Sequence, residues 1–290
     1  MDTLRATTLT SNGKAMPFDD THFAPMRDSS ALVDDPDALR ERFASDRYLL
    51  LRGLLDRATV LRLRELYFSL LPEGFLKPGT ATVDGIFSGS LPAGLPEYGV
   101  RGHPAYDFVR RAEFRELGAD PALRQVTEAL LGGPAEPLTR QIVRHFHRGE
   151  RRASRAHTDY DYMSQGSDRI VTSWIPLGDC ALATGGLVYL DYAQPLSEDD
   201  RKRLRLVNDR EHDTRPLSHD LEWTSRMTER RWLWTDYLAG DVAFHSPYIV
   251  HASLDTTTDA MRLSADLRFQ RRGETVDPRW TVPWAADDGA

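Results

Sequence analysis

Residues 262–271 read Arg-Leu-Ser-Ala-Asp-Leu-Arg-Phe-Gln-Arg and alternate polar with apolar side chains without a break. Only extended backbone sorts such a run: Leu263, Ala265, Leu267 and Phe269 fall on one face, Arg262, Ser264, Asp266, Arg268 and Gln270 on the other. The chain must therefore build a sheet with one apolar packing side. Two readings stay open for the polar face. It lies in water, or the apolar face packs on helices and the charged side chains line the mouth of a barrel.

The rest of the chain fits around that strand. Further short strands are expected at 138–147, 169–177, 186–190, 241–244 and 248–251, separated by turns, as in a sandwich or barrel of the jelly-roll type. Ahead of them the signals are helical. Asp34 or Asp35 with Pro36 opens a helix to about Arg47, and 48–52 reads as a short buried strand. Asp56 opens a second helix carrying Val60, Leu63, Tyr67 and Leu70, ended by Pro72 and Gly74. A Gly- and Pro-rich loop spans about 72–103. Two more helices are expected near 105–117 and 121–131, the latter with Asp120, Pro121 and a Gly132-Gly133-Pro134 stop. The expected organisation is an irregular arm over 1–33, a single domain over 34–275 and a tail over 276–290. Within the domain, 34–135 is mainly helical bracing and 138–271 the β core. An insert at 191–235, with a helix capped by Ser197, interrupts the core and reads as a lid over its mouth.

Composition narrows the function. No apolar run in the 290 residues approaches the length of a membrane span. The single cysteine, Cys180, excludes an intrachain disulfide and makes the reducing cytoplasm the expected compartment. A net charge of −7 weighs against nucleic acid as partner. It does so even though Trp223, Trp232 and Trp234 interleave with Arg226, Arg230 and Arg231. No P-loop, dinucleotide fingerprint or nucleophile elbow is present.

The residues suited to chemistry are histidines on or beside the expected strands. His157-Thr158-Asp159 sets an imidazole and a carboxylate two residues apart, on one side of extended backbone. His251 follows 94 residues later, with Ser253 two positions beyond it and Arg262 eleven. Two neutral imidazoles and one carboxylate form a facial triad suited to Fe(II), leaving three adjacent coordination positions free. An α-keto acid binding through two oxygens, plus dioxygen, requires those positions, and an arginine clamps the far carboxylate of such an acid. Asp161 shares the parity of His157 and is a rival ligand. His145-Phe146-His147 with Glu150 offers another metal set, of the kind used by cupin-type hydrolases or isomerases.

In order and spacing these pieces resemble the phytanoyl-CoA dioxygenase family of iron(II)/2-oxoglutarate oxygenases. The matching segments are His157-Thr158-Asp159, Trp174-Ile175-Pro176-Leu177, Thr184 to Leu190, Gly240 to Phe244, His251-Ala252-Ser253 and Arg262-Leu263-Ser264. Together they cover about residues 40 to 272. The resemblance implies a mainly β, cupin-like double-stranded β-helix braced by helices. It implies Fe(II) held by His157, Asp159 and His251, with 2-oxoglutarate as co-substrate on Arg262. Ser253, Gln141 and Thr172 or Ser173 are expected beside that co-substrate. Tyr160, Tyr162, Met163, Trp174, Arg140, Arg144 and His245 are expected to wall the substrate site. Asp159 stands where halogenating relatives carry a small residue, which favours oxygenation. Asp191-Tyr192-Ala193-Gln194-Pro195 departs from the family's Pro-Gly-Ser-His turn, so no substrate class is transferred. The implied activity is hydroxylation of a polar small metabolite with O2, in bacterial natural-product tailoring. Desaturation, oxidative cyclisation, a cupin-type hydrolase or isomerase, and a silent binding protein are the alternatives. A monomer and a homodimer are equally acceptable.

Overall fold

The computed structural model describes residues 8–150, 153–191, 195–210 and 212–286. Twelve short strands carry the fold: β1 (Thr8–Ser11), β2 (Lys14–Pro17), β3 (Phe23–Pro25), β4 (Tyr48–Leu51), β5 (Ala135–Pro137) and β6 (Ile142–Phe146) come first. They are followed by β7 (Ile170–Pro176), β8 (Leu187–Leu190), β9 (Trp232–Trp234), β10 (Val242–His245), β11 (His251–Ser253) and β12 (Arg262–Arg271). The helices are α1 (Pro36–Asp46), α2 (Arg57–Ser69), α3 (Pro104–Phe108), α4 (Ala112–Leu117), α5 (Pro121–Leu131), α6 (Glu198–Arg205) and α7 (Leu221–Thr228). The larger sheet runs β4-β10-β7-β12, with β5 and β6 both on the far edge of β12; the smaller runs β11-β8-β9-β3. Two sheets facing one another with helices behind make the cupin-like double-stranded β-helix.

Strand parity explains the layering. On β12, Leu263, Ala265, Leu267 and Phe269 pack with Leu63 and Tyr67 of α2 and Leu123 and Val126 of α5 in one core. Its partners follow suit, with Leu49, Leu51, Val171, Ile175, Val242 and Phe244 on the same side. The alternate residues Tyr48, Leu50, Trp174 and Ala243 turn inward to meet Leu187, Tyr189 and Leu233 of the smaller sheet. Of the two readings for the polar face of β12, the barrel interior is the one found. Burial against α2 and α5 also fixes the register, because a one-residue slip would exchange the two faces.

Helix ends are set by local chemistry. The Asp35 carboxylate accepts from the amides of Asp37 and Ala38 ahead of Pro36, Asp56 caps α2 at Thr59, and Asp120 caps α5. Where longer elements are expected, the structure divides them. The 105–117 helix is two, because Phe108 and Phe114 both enter the core with rings 4.9 Å apart. Six residues along one continuous helix would point them about 120° apart. The 138–147 strand is likewise two. Phe269 pairs with Pro137 and Asp266 with Ile142, so three steps on β12 oppose five on the other side. The two extra residues keep the parity of β6. Residues 246–249 form a turn, so the strand expected at 248–251 starts at His251.

Two other expectations are corrected. The described part of the arm is not irregular: β1 and β2 form a hairpin on Asn12-Gly13, both at positive φ as such a turn needs. Strand β3 joins the smaller sheet in parallel with β9. The insert is shorter than 191–235, because Trp232–Trp234 is a strand of the smaller sheet and Trp232 is wholly buried. Residues 192–194 of the divergent loop, like 1–7 and 287–290, lie outside the described residues. No described helix is long and apolar enough to cross a membrane.

Candidate metal centre

His157 bridges His251 through paired backbone hydrogen bonds, 3.0 Å in each direction, which sets their rings 4.2 Å apart at one mouth of the barrel. Thr158 is extended, and the chain then enters a single 3-10 turn over Asp159–Tyr162. The extended residue returns Asp159 to the side of His157. Asp159 Oδ1 lies 4.0 Å from His157 Nε2 and 3.8 Å from His251 Nε2. Among the described residues this is the only group of three such side chains with all ligand atoms within 4.8 Å of one another.

Tautomer and charge both suit a divalent cation. His157 Nδ1 donates to the Arg155 carbonyl at 2.6 Å and His251 Nδ1 to that of Ile249 at 3.1 Å, which turns both Nε2 lone pairs toward Asp159. Burial lowers both imidazole pKa values, and in His251 the neighbouring His157 and His245 add to it, so the rings stay neutral. Burial alone would raise the Asp159 carboxyl, but Arg268 and the neighbouring histidines outweigh it and hold the group well below the usual range. The carboxylate is gripped on several sides. Thr172 Oγ1 donates to Oδ2 at 2.6 Å, His245 Nε2 lies 3.3 Å from the same oxygen, and Arg268 places Nη2 2.9 Å from Oδ1.

Arg262 occupies the adjoining recess, in company with Trp174, Leu187, His245 and Asp266. Its Nη1 donates to the Gly185 carbonyl at 2.7 Å and its guanidinium lies 4.3 Å over the Phe146 ring. Its Nε is buried without an acceptor among the described residues. A buried cation with an orphaned N–H beside a neutral-His, ionised-Asp donor set fits a metal-chelating acid with a distal carboxylate. Ser253 is fully buried, and its hydroxyl accepts from the Ser154 amide at 2.7 Å, which holds the cavity-lining Ser154 in place.

The other expected residues divide by parity. Thr172 faces the centre, while Ser173 sits opposite Phe244 and Leu267 of the helix-side core and its hydroxyl has no partner among the described residues. Gln141 is not brought to the site: its amide lies against Gly118 at the end of α4. Met163 belongs to the helix-side core as well. Arg144 and Tyr162 line the main cavity of about 700 Å³, with Trp174 and His245 in the recess. Arg140 is buried behind the cavity with its guanidinium 5.4 Å over Trp280. Tyr160 packs against Tyr248, ring centroids 4.8 Å apart, and faces a separate cavity beneath α6. Asp161 turns away to Arg201, 2.6 Å distant, and to Thr158.

His145 and His147 hold no such centre. His145 Nδ1 is 2.6 Å from the Tyr67 hydroxyl among aromatic rings on the helix side, and His147 stacks on Phe87. Sequence reasoning missed Trp280 and Trp284 as cavity residues, and it placed Asp266 and Arg268, which share the parity of Arg262, at the barrel mouth in only one of two open readings.

Fold and triad together define a double-stranded β-helix protein with an active site of the iron(II)/2-oxoglutarate oxygenase type. A family model described as phytanoyl-CoA dioxygenase matches residues 99–264, more than half of the chain, and the chain belongs to that family. It is 26% identical over 273 residues to a 1-deoxypentalenic acid 11-beta-hydroxylase of Streptomyces arenae, covering 90% of both chains. Two solved structures share the fold. The non-heme α-ketoglutarate-dependent carbocyclase SnoK from nogalamycin biosynthesis matches at 18% identity and TM-score 0.58, over 88% of this chain and 90% of its own. EctD from S. alaskensis with bound Fe matches at 15% identity and TM-score 0.58, over 96% of this chain and 92% of its own.

Proposed function

We propose that this enzyme hydroxylates an unactivated C–H bond of a polar small metabolite, as a tailoring step in bacterial natural-product biosynthesis. The reading is carried by one observation: the His157, Asp159 and His251 ligand atoms converge, with the partly unpaired Arg262 in the adjoining recess. The Streptomyces relatives, named as hydroxylases, support the reaction type.

When bound, iron and 2-oxoglutarate supply the oxidising power: one atom of O2 enters the substrate C–H bond, and the other leaves in succinate as CO2 is released. The chain supplies placement. His157, Asp159 and His251 would hold the metal, and a set of only three protein ligands would leave room for the co-substrate and O2. Arg262 would receive the far carboxylate of 2-oxoglutarate, since its Nε is a buried donor with no acceptor among the described residues. Thr172 and His245 engage Asp159 Oδ2, while Oδ1, which also accepts from Arg268 Nη2, faces the Nε2 atoms of His157 and His251 and would be the oxygen offered to the metal. Tyr162 walls the cavity beside His157, their rings 5.4 Å apart, and excludes water from that side.

Anaerobic addition of Fe(II) and 2-oxoglutarate tests this directly. Bidentate chelation gives a visible metal-to-ligand absorption band, and folded protein that develops none would sink the oxygenase reading. Mass measurement of the product then tests the outcome. A gain of one oxygen is expected, and loss of two hydrogens would replace hydroxylation by desaturation or ring closure.

A further inference from the structure

Within the cavity, Arg144 stands apart from the other arginines. It projects from β6 to the barrel interior, and its Nε donates to Asp266 Oδ2 at 2.6 Å. Among the described residues, neither of its terminal nitrogens meets an acceptor, and its side chain remains about one-third exposed to the cavity. The brace matters because it aims the guanidinium: with Nε fixed to Asp266, the edge formed by Nη1 and Nη2 is the one presented. Two parallel N–H groups on a planar edge match the two oxygens of a carboxylate. Arg268 adds a second cation two residues along β12 from Asp266. It is 4% exposed, with Nε and Nη2 on Asp159 and Nη1 buried without a partner among the described residues. Both arginines line the main cavity, between the metal ligands and its outer wall.

One side of that wall is aromatic, while Arg155, Arg210 and Arg215, paired with Asp209 and Asp213, line another part of the cavity. Trp280 lies under the Arg268 guanidinium at 4.5 Å, and Trp284 packs on Tyr106 with ring centroids 4.4 Å apart. All three aromatic residues line the same cavity, whose volume of about 700 Å³ suits a molecule larger than an amino acid. A cationic floor beside the metal and an aromatic wall facing it select an amphipathic anion.

From this geometry we infer that the substrate is a carboxylic acid on a hydrocarbon skeleton. Its carboxylate is bound by Arg144, braced by Asp266 and flanked by Arg268, and its skeleton lies against Trp280 and Trp284. The inference rests on the oxygenase reading for the location of the reacting metal, and it names the substrate class that site accepts. Arg144 is then a specificity residue. A neutral isostere leaves its N–H edge desolvated and unpaired, and that penalty gives the discrimination.

The experiment uses a rigid matched pair, adamantane-1-carboxylate and adamantane-1-carboxamide, titrated anaerobically into the Fe(II)- and 2-oxoglutarate-loaded protein while the absorption band is followed. The carboxylate is expected to perturb the band at concentrations at least tenfold below the amide. Arg144→Gln is expected to erase that preference while the 2-oxoglutarate concentration needed to form the band stays as in the wild type. Arg144→Lys, which keeps the charge without the planar edge, is expected to restore part of it. Equal binding of acid and amide overturns the inference, as does failure of both to bind. It is equally overturned if Arg144→Gln raises the 2-oxoglutarate requirement, since Arg144 would then serve the co-substrate. If the wild type forms no band, the oxygenase reading fails separately. The acid preference is then read from thermal shifts of the metal-free protein with the same pair.

Discussion

Two histidine clusters lie on opposite sides of the larger sheet, and they use the same residue type for opposite ends. At the barrel mouth, His157 and His251 face an ionised Asp159, with both Nδ1 atoms tied to backbone carbonyls and both Nε2 atoms toward its carboxylate. On the helix side, His145 is tied through Nδ1 to the Tyr67 hydroxyl and enclosed by Phe75, Tyr98 and His103. Burial holds the rings of His157, His251 and His145 neutral. The difference is the company. A carboxylate and a cavity make the first pair ligands, whereas aromatic rings make the second a packing element. Neutral buried imidazole alone therefore does not mark a metal site.

The contrast can be broken most sharply at Asp159. Replacing it with Ala should abolish succinate release and weaken Co(II) binding, followed by visible absorption, by more than about 100-fold, since groups that merely orient a ligand are already worth 10–100-fold. Ala at His145 should leave Co(II) binding unchanged. Arg262→Met comes next. Loss of a buried, charge-paired contact costs about 2–5 kcal/mol, so the 2-oxoglutarate KM should rise by roughly 30-fold or more while the metal still binds. A KM within threefold of wild type would remove Arg262 from co-substrate binding.

On the other side of the sheet the expected effects fall on stability. His145→Ala empties a packed aromatic site and leaves the Tyr67 hydroxyl without its partner. Urea denaturation should register a loss of about 2–4 kcal/mol. The smallest effect concerns pH. Burial lowers His103 to about 4, so the folded protein keeps it neutral while the unfolded chain takes up a proton near 6.5. That contribution is complete above pH 6.5 and is lost as pH falls toward 4. His103→Asn keeps an acceptor for the Ala105 amide, which His103 Nδ1 now caps at 3.1 Å. The variant should lose about 1–2 kcal/mol less than the wild type between pH 7 and pH 5. An unchanged pH slope would show that His103 does not carry it.

What was legible depended on how local the signal is. The caps at Asp35, Asp56 and Asp120 act within three residues, and the helices start where those residues stand. The unbroken alternation of 262–271 is likewise a property of adjacent residues, and β12 spans that range. The family pattern drew together His157, Asp159, His251 and Arg262 from segments about 100 residues apart. One feature was readable but unread, the hairpin signal Asn12-Gly13; the shared face of Asp266, Arg268 and Arg262 was read, but the alternation alone left that face open between water and the barrel mouth. The break between α3 and α4 was hidden, because it answers to the demand that Phe108 and Phe114 reach one core. So was the two-residue excess between β5 and β6, which exists only against β12.

By itself the sequence determined the kind of element each segment forms and the donor types it carries, because periodicity and capping act over a few neighbouring residues. Only the tertiary structure decided which histidines meet a carboxylate and which meet tyrosine and phenylalanine rings. The same holds for Gln141 and Ser173, which face the helix side, and for Arg144, which faces the cavity. The physical reason is that a side chain's partners are fixed by sheet register and by what packs on each face, and both depend on contacts far apart in the chain.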